Sequence, residues 1–494
     1  MGRMEQRRRE ISRMVQCGAL AMGLCLLTMW GAMPLAWAVE TRLVPSVTKP
    51  GAQFGQALAA RGDLLVVGAS DAGTNQAKAG AAYVFRFDPA AGTWVEEARL
   101  VSPNPIGDGY FGAAVATDGT RVVVGAPGEE RAYVFGQDVG GVWSPAAALP
   151  PPTSFFTNSG FGRAVAVSGT QVAVGANTCI DCLNGQAGTG AVVMYRQSDA
   201  GWVQGQRLSA EGGGSVPTLL GLSVALDGST LLAGDAFAEP ESPTRGALLV
   251  WEYTPSTAGS WVQRPNLSAP DGEPGDHFGL SVALDGNTAV VASPTHADGG
   301  FSYTGAVYVF TRSAGAWLPL PAELRPLGAS DLPRPPVGPV ALSGSRLLVG
   351  APDQNALEGG AYVFTRSATG VWPLGATPVA HSAVRASRFG YAVAVTADHL
   401  VVGALDEDRS RGAVYANSPA AAADGGGGTG TGGGGGIGGG GTGGVGGVGG
   451  VGGTGSGNPS QESAAGCSVG GGADALLAGL LIVALCAGAR RRSL

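Results

Sequence analysis

The chain has 494 residues, of which 86 are glycine and only 14% are charged, a balance that suits short strands and tight turns better than long surface helices. Its formal net charge is −7, yet residues 1–38 contribute +3 and Arg490, Arg491 and Arg492 another +3, so the part between carries −13. A body that acidic repels phosphate backbones, which argues against nucleic acid as a partner and against anionic lipid surfaces.

The first 38 residues read as an export signal. Arg7, Arg8 and Arg9 form a basic start, an apolar run extends from Val15 to Trp30, and Ala36-Trp37-Ala38 offers a small-x-small site. Cleavage is expected between Ala38 and Val39; a permanent N-terminal anchor is the alternative. The folded part then keeps only Cys179 and Cys182, with Cys467 beyond it. A lone C-x-x-C has no partners for a four-ligand zinc site. In an oxidising compartment Cys179 and Cys182 are expected to close a small disulfide loop, adding roughly 2 kcal/mol.

One unit then recurs along the chain. It opens with Phe54-Gly55, continues through Leu64-Leu65-Val66-Val67-Gly68-Ala69 and Gly80-Ala81-Ala82-Tyr83-Val84-Phe85, and reaches Trp94. It restarts at Phe111, Phe161, Leu220, Phe278, a degenerate Val337-Gly338, and Phe389, at intervals of 57, 50, 59, 58, 59 and 52 residues. Short apolar runs bounded by Gly, Asp, Ser and Pro give four strands per unit. Asp118-Gly119, Asp227-Gly228 and Asp285-Gly286 fall between the first and second strands, where a two-residue hairpin needs φ > 0. Trp94, Trp143, Trp202, Trp261, Trp317 and Trp372 follow the third strand and are expected to pack rather than to bind.

Seven such units predict an all-β, seven-bladed β-propeller with four-stranded blades over residues 39–416. The seventh unit ends at its third strand, near Tyr415. Glu40-Thr41-Arg42-Leu43-Val44 repeats the pattern of Glu97-Ala98-Arg99-Leu100-Val101, with Leu43 and Leu100 each eleven residues before a unit start. Residues 40–45 are therefore expected to supply the outer strand of the last blade.

Phe-Gly, then Val-Val-Gly-Ala-Pro, then Gly-Ala-Val-Tyr-Val-Phe resembles the FG-GAP repeat of integrin α-subunit propellers and their bacterial relatives, over roughly residues 40–416. The resemblance implies a binding or adhesion propeller. Many such blades carry an Asp-rich calcium loop between the first two strands. The turns Arg61-Gly62-Asp63, Ser168-Gly169-Thr170 and Ser343-Gly344-Ser345 hold too few oxygens for Ca²⁺, as do the Asp-Gly turns. No calcium or other metal, and no cofactor, is expected in the blades. Asp406-Glu407-Asp408 lies after a second strand and reads as a solvated turn.

From residue 417 to 465 the composition is dominated by glycine, which cannot bury a core and reads as a flexible tether with an r.m.s. span of about 35 Å. Residues 466–494 carry Cys467, an apolar stretch from Ala475 to Ala489, and a basic end. The three parts resemble the MYXO-CTERM sorting tag of myxobacterial surface proteins, which implies processing near Cys467 and attachment through it at the cell surface or outer membrane. A transmembrane helix in this tail is the alternative, although fifteen residues cover only about 22 Å.

No catalytic constellation is visible. The four histidines, His277, His296, His381 and His399, are scattered, and no nucleophile elbow, His-Glu-x-x-His or phosphate loop occurs. The sequence therefore reads as a non-enzymatic, cell-surface binding protein for an extracellular protein or polysaccharide. A surface-coat protein and a propeller glycosidase or other hydrolase are the alternatives. The loops Asn177–Gly190, Asp235–Gly246 and Ser293–Gly305 fall on one face of consecutive units and are expected to form the binding rim.

Overall fold

The computed structural model describes residues 37–419 apart from 74–76, 156–157, 179–189, 211–218, 238–244, 256–258, 298–304, 322, 326–336 and 376–385. Seven antiparallel sheets form the ring of a propeller. The first blade is β2 (Ala57–Arg61), β3 (Leu64–Ala69), β4 (Ala81–Asp88) and β5 (Thr93–Leu100). The second is β6 (Ala114–Thr117), β7 (Arg121–Ala126), β8 (Arg131–Gln137) and β9 (Trp143–Leu149). The third is β10 (Phe161–Ser168), β11 (Gln171–Ala176), β12 (Ala191–Ser198) and β13 (Gly201–Leu208). The fourth is β14 (Ser223–Asp227), β15 (Thr230–Asp235), β16 (Ala247–Thr254) and β17 (Ser260–Leu267). The fifth is β18 (Ser281–Asp285), β19 (Thr288–Ser293), β20 (Ala306–Ser313) and β21 (Ala316–Pro319).

The sixth blade, β22 (Val340–Ser343), β23 (Arg346–Gly350) and β24 (Ala361–Thr365), has a reduced outer edge. Among the described residues, which stop at 375 here, a single bridge, Phe364 to Leu374, stands where the fourth strand was expected. Pro373 has no N–H to give the ladder, and its carbonyl accepts from Thr365; a proline alone does not abolish a fourth strand, since Pro145 lies in β9 and Pro265 in β17. The seventh blade, β25 (Phe389–Val395), β26 (Leu400–Ala404) and β27 (Ala413–Pro419), is completed by β1 (Trp37–Leu43). Leu43 lies opposite Val414 and Thr41 opposite Ala416. The closing strand is the expected one, shifted toward the N-terminus. A cut between Ala38 and Val39 leaves Val39–Leu43 in the ladder.

Glu407 corrects the reading of Asp406–Asp408 as a solvated turn. Its side chain is buried, accepting from Arg42 Nε at 2.8 Å and from the Tyr415 hydroxyl at 2.7 Å. Three consecutive left-handed residues, Asp408, Arg409 and Ser410, bend the chain at this point. One carboxylate thereby joins the closing strand to the strand it pairs with.

Apolar residues alternate along both faces of each sheet and fill every seam between neighbouring blades. Phe54, Leu65 and Val401 share the seam between the seventh and first blades, and Leu348 and Val402 the one before it. The repeat-opening Phe54, Phe111, Phe161, Phe278 and Phe389 are essentially inaccessible. Trp94, Trp143, Trp261 and Trp372 are buried, while Trp202 and Trp317 are half-buried. The tryptophans are packing residues, as the repeat implied. Among the described residues no helix is long and apolar enough to cross a membrane; the C-terminal apolar stretch lies outside them.

Candidate functional site

Strand order gives the ring two unlike faces. On one lie the hairpins between first and second strands. In five of them a glycine and one further residue form the two-residue loop, with φ positive only at the glycine, as at Gly62, Gly169, Gly228, Gly286 and Gly344. That is the type II′ pattern, with glycine as its first residue. The preceding aspartate is not in the loop. Asp227 Oδ2 accepts the Gly286 amide of the next blade at 2.7 Å, Asp285 likewise accepts from Gly344, and Ser168 Oγ from Gly228 at 3.0 Å. These turns tie blade to blade. A cavity of roughly 330 Å³ opens among them, lined by Arg61, Asp285, Arg346 and Asp398, and Arg346 donates to the Ala397 carbonyl.

The other face carries the connections from second to third strand and from blade to blade. A tyrosine of the third strand, third in that strand in the first and second blades and fifth in the third, pins several of these connections. Tyr83 donates to the Val47 carbonyl at 2.6 Å, Tyr133 to Glu129 at 2.5 Å, and Tyr195 to the Pro150 carbonyl. Burial first, then the Glu129 carboxylate, pushes the Tyr133 hydroxyl up to about 12. These tyrosines are structural clamps.

In the fifth blade the same clamp stands in a cluster of ionisable groups. Tyr308, on β20, donates to Asp271 Oδ1 at 2.7 Å, and Asp271 lies in the connection before β18. His296, just beyond β19, is buried with Nδ1 2.7 Å from Asp276 Oδ2; Asp276 is buried too. Glu323, after β21, places Oε2 3.6 Å from His296 Nε2. Its position is fixed by Leu324, which exchanges backbone hydrogen bonds with Val307 of β20 at 2.7 and 3.1 Å. Arg325 Nε donates to Glu323 Oε1 at 2.7 Å. Asp276 is held by the Glu273 amide at 2.7 Å, and its carbonyl accepts from Ser293 Oγ at 2.8 Å. Burial, then the Asp271 hydrogen bond and the charges of Glu323, Asp271 and Asp276, raise the Tyr308 hydroxyl far above its ordinary range. It stays a hydrogen-bond donor.

His277 lies beside this group. Its Nδ1 is 2.6 Å from Thr295 Oγ1, whose own hydrogen goes to the Gly275 carbonyl at 2.6 Å. Burial lowers its pKa, with Asp276 opposing. Its left-handed backbone belongs to the repeat, since Gln53, Tyr110 and Arg388 take the same conformation just before their own Phe-Gly. His399 is remote, packed against Phe87 and Trp94 at centroid distances of 4.4 and 4.9 Å.

The fold thus brings His277 and His296 together in one blade, although the sequence reading treated them as scattered. Asp271, Asp276 and Glu323 were not singled out either. The run Asp271-Gly272-Glu273-Pro274-Gly275-Asp276-His277 was the available signal. Ala38 and Val39 lie in β1, whereas Cys179, Cys182, Cys467 and His381 fall outside the described residues, as do the central parts of the three expected rim loops. Their described ends, Asn177-Thr178, Asp235–Phe237 and Ser293–Ala297, stand on the face that carries the fifth-blade cluster.

The FG-GAP repeat matches the chain at residues 37–85, 94–142 and 261–310. The chain is a seven-bladed β-propeller containing FG-GAP repeats. The third match includes Asp271, Asp276 and His296. No curated protein matches the chain in sequence. Among solved structures, a putative 6-phosphogluconolactonase from Bacteroides fragilis is 14% identical with a TM-score of 0.45, over 71% of this chain and 88% of its own. A periplasmic gluconolactonase of Pseudomonas aeruginosa is 17% identical with a TM-score of 0.42, over 73% and 96%. A streptogramin B lyase is 9% identical with a TM-score of 0.44, over 77% and 97%.

Proposed function

We propose that the chain is a non-enzymatic binding propeller, exported and held at the cell surface by its C-terminal tail. It engages an extracellular protein or polysaccharide through the face that carries the long connections of the third, fourth and fifth blades. The contrast between the two faces carries this reading. The turn face consists largely of near-identical short hairpins bonded to one another. The opposite face combines loops of unequal length with the cluster of Asp271, Asp276, His296 and Glu323. A regular scaffold beneath a variable surface is how rigid folds present binding sites. A glycine-rich tether from 417 to 465 lets such a surface reach outward.

Hydrolysis is the second reading. The observation behind it is the buried Asp276–His296 pair, in which a carboxylate orients an imidazole as it does in a general base. Binding alone predicts adhesion without turnover of the bound material.

The test replaces 177–190, 235–246 and 293–305 one at a time with short turns and measures adhesion of intact cells to protein- and polysaccharide-coated surfaces. At least one variant should lose adhesion while folding and reaching the surface. If all three adhere like the parent, the binding face is elsewhere. In the same assay Cys467→Ala should remove the protein from the surface; normal surface display at normal size overturns attachment through Cys467.

A further inference from the structure

Asp271, His296 and Glu323 come from three separate connections, yet one ligand atom of each lies within 4.8 Å of the other two. Among the described residues no other group of His, Cys, Asp and Glu side chains meets that condition. We propose that these three residues bind a first-row divalent transition cation of the Zn²⁺ type on the loop-bearing face of the fifth blade.

Charge is the first argument. The carboxylates of Asp271, Asp276 and Glu323 surround His296 and Tyr308, and among the described residues the cation bonded to the group is Arg325, on Glu323. His277, the other titratable neighbour, is turned to Thr295. Among the described residues three carboxylates face one guanidinium, and even a protonated His296 would leave excess negative charge in a largely buried place, a costly arrangement unless a further cation balances it.

The second argument is the support around His296. With a carboxylate as acceptor its Nδ1 carries the hydrogen, and Asp276 is itself fixed by the Glu273 amide and Ser293. This carboxylate–imidazole arrangement sets the ring orientation and raises the basicity of Nε2, as it does behind metal-bound histidines. Nε2 is the nitrogen that faces Glu323.

The third is Glu323 itself. Oε1 accepts from Arg325, whereas Oε2 is shut off from solvent and accepts no hydrogen bond. A buried carboxylate oxygen without a donor, aimed at an imidazole nitrogen, is half of a coordination shell.

Distances agree. Ligand atoms about 2.1 Å from a tetrahedral ion lie about 3.4 Å apart, and never beyond about 4.2 Å. The 3.6 Å between His296 Nε2 and Glu323 Oε2 fits. All three separations are within 4.8 Å, so a pair at that limit must close by about 1.4 Å to reach tetrahedral spacing, which the exposed Asp271 can supply by a side-chain rotation. An imidazole ligand favours Zn²⁺ or its neighbours over Ca²⁺ and Mg²⁺, which take oxygen. Because Asp271 is exposed, one side of the ion faces outward. The site is independent of whatever the rim loops bind, since it is tested with metal alone.

The experiment strips the full chain with a chelator and titrates it calorimetrically with Zn²⁺, Mn²⁺ and Ca²⁺. One equivalent of Zn²⁺ should bind, more tightly than Ca²⁺. His296→Ala and Asp271→Asn should each weaken Zn²⁺ about 100-fold or more, and Asp276→Asn by about 10- to 100-fold. Asp271 is exposed, so Asp271→Asn keeps the test available should His296→Ala not fold. Absence of Zn²⁺ binding by the parent, or parental affinity in Asp271→Asn, overturns the proposal.

Discussion

A methyl group added at Gly175 would overlap the Gly221 carbonyl oxygen of the next blade. The same conflict recurs between Gly68 and Gly112, Gly125 and Gly162, Gly234 and Gly279, Gly350 and Gly390, and Gly403 and Gly55. In each pair the glycine of one blade's second strand meets the glycine that opens its neighbour's unit, after Phe or, at Gly221, after Leu220. The exception is informative. Where the sixth unit opens with the degenerate Val337-Gly338, the fifth-blade position is occupied by Ala292. Gly175→Ala should therefore cost about 1–3 kcal/mol in denaturant unfolding, whereas Ala292→Gly should cost about 1 kcal/mol or less. Equal losses would contradict the close-approach account. Both glycines are plain in the sequence motif. Their contact is not, because the partners lie in different repeats and only the ring's curvature brings them together. The aspartate of Asp-Gly is similar: its amide partner, as for Asp227 and Gly286, is 59 residues away.

At the scale of the element, closure by β1 was legible because Leu43 and Leu100 keep the same spacing from their unit starts. The weak outer edge of the sixth blade was less so, since Trp372 preserves the repeat and the proline beside it is no signal, Pro145 and Pro265 standing within β9 and β17. The seam between the seventh and first blades also carries a pH dependence. His399, 2% exposed, leaves the turn between β25 and β26 to pack on Phe87 and Trp94 of the first blade. Burial lowers its pKa, with Asp398 and Asp63 opposing and Arg346 adding to the decrease. The unfolded chain, titrating near 6.5, then takes up a proton at a higher pH than the folded one. The contribution of neutral His399 is fully present above about pH 6.5 and is lost as pH falls toward the folded-state value. His277 is displaced in the same direction. In His399→Leu the fall in melting temperature between pH 7 and pH 5 should be smaller than in the parent. An unchanged fall would show that this histidine is not buried as a neutral group.

Across the whole molecule, number and order of blades follow from periodicity, because every repeat faces the same packing problem and solves it with the same residues. The fifth-blade cluster obeys no period. Asp271, His296 and Glu323 occupy connections that the repeat leaves free, and only the ring places three such connections side by side. The proposed function rests on the difference between the faces, so the most direct measurement blocks one at a time. A bulky polymer is coupled at a single introduced cysteine, either Asp271→Cys on the loop-bearing face or Thr170→Cys in an exposed hairpin of the turn face. Adhesion of intact cells is then compared with that of the uncoupled variants. The account predicts that polymer at position 271 sharply reduces adhesion and polymer at position 170 leaves it unchanged. Loss at position 170 with adhesion retained at position 271 would contradict it.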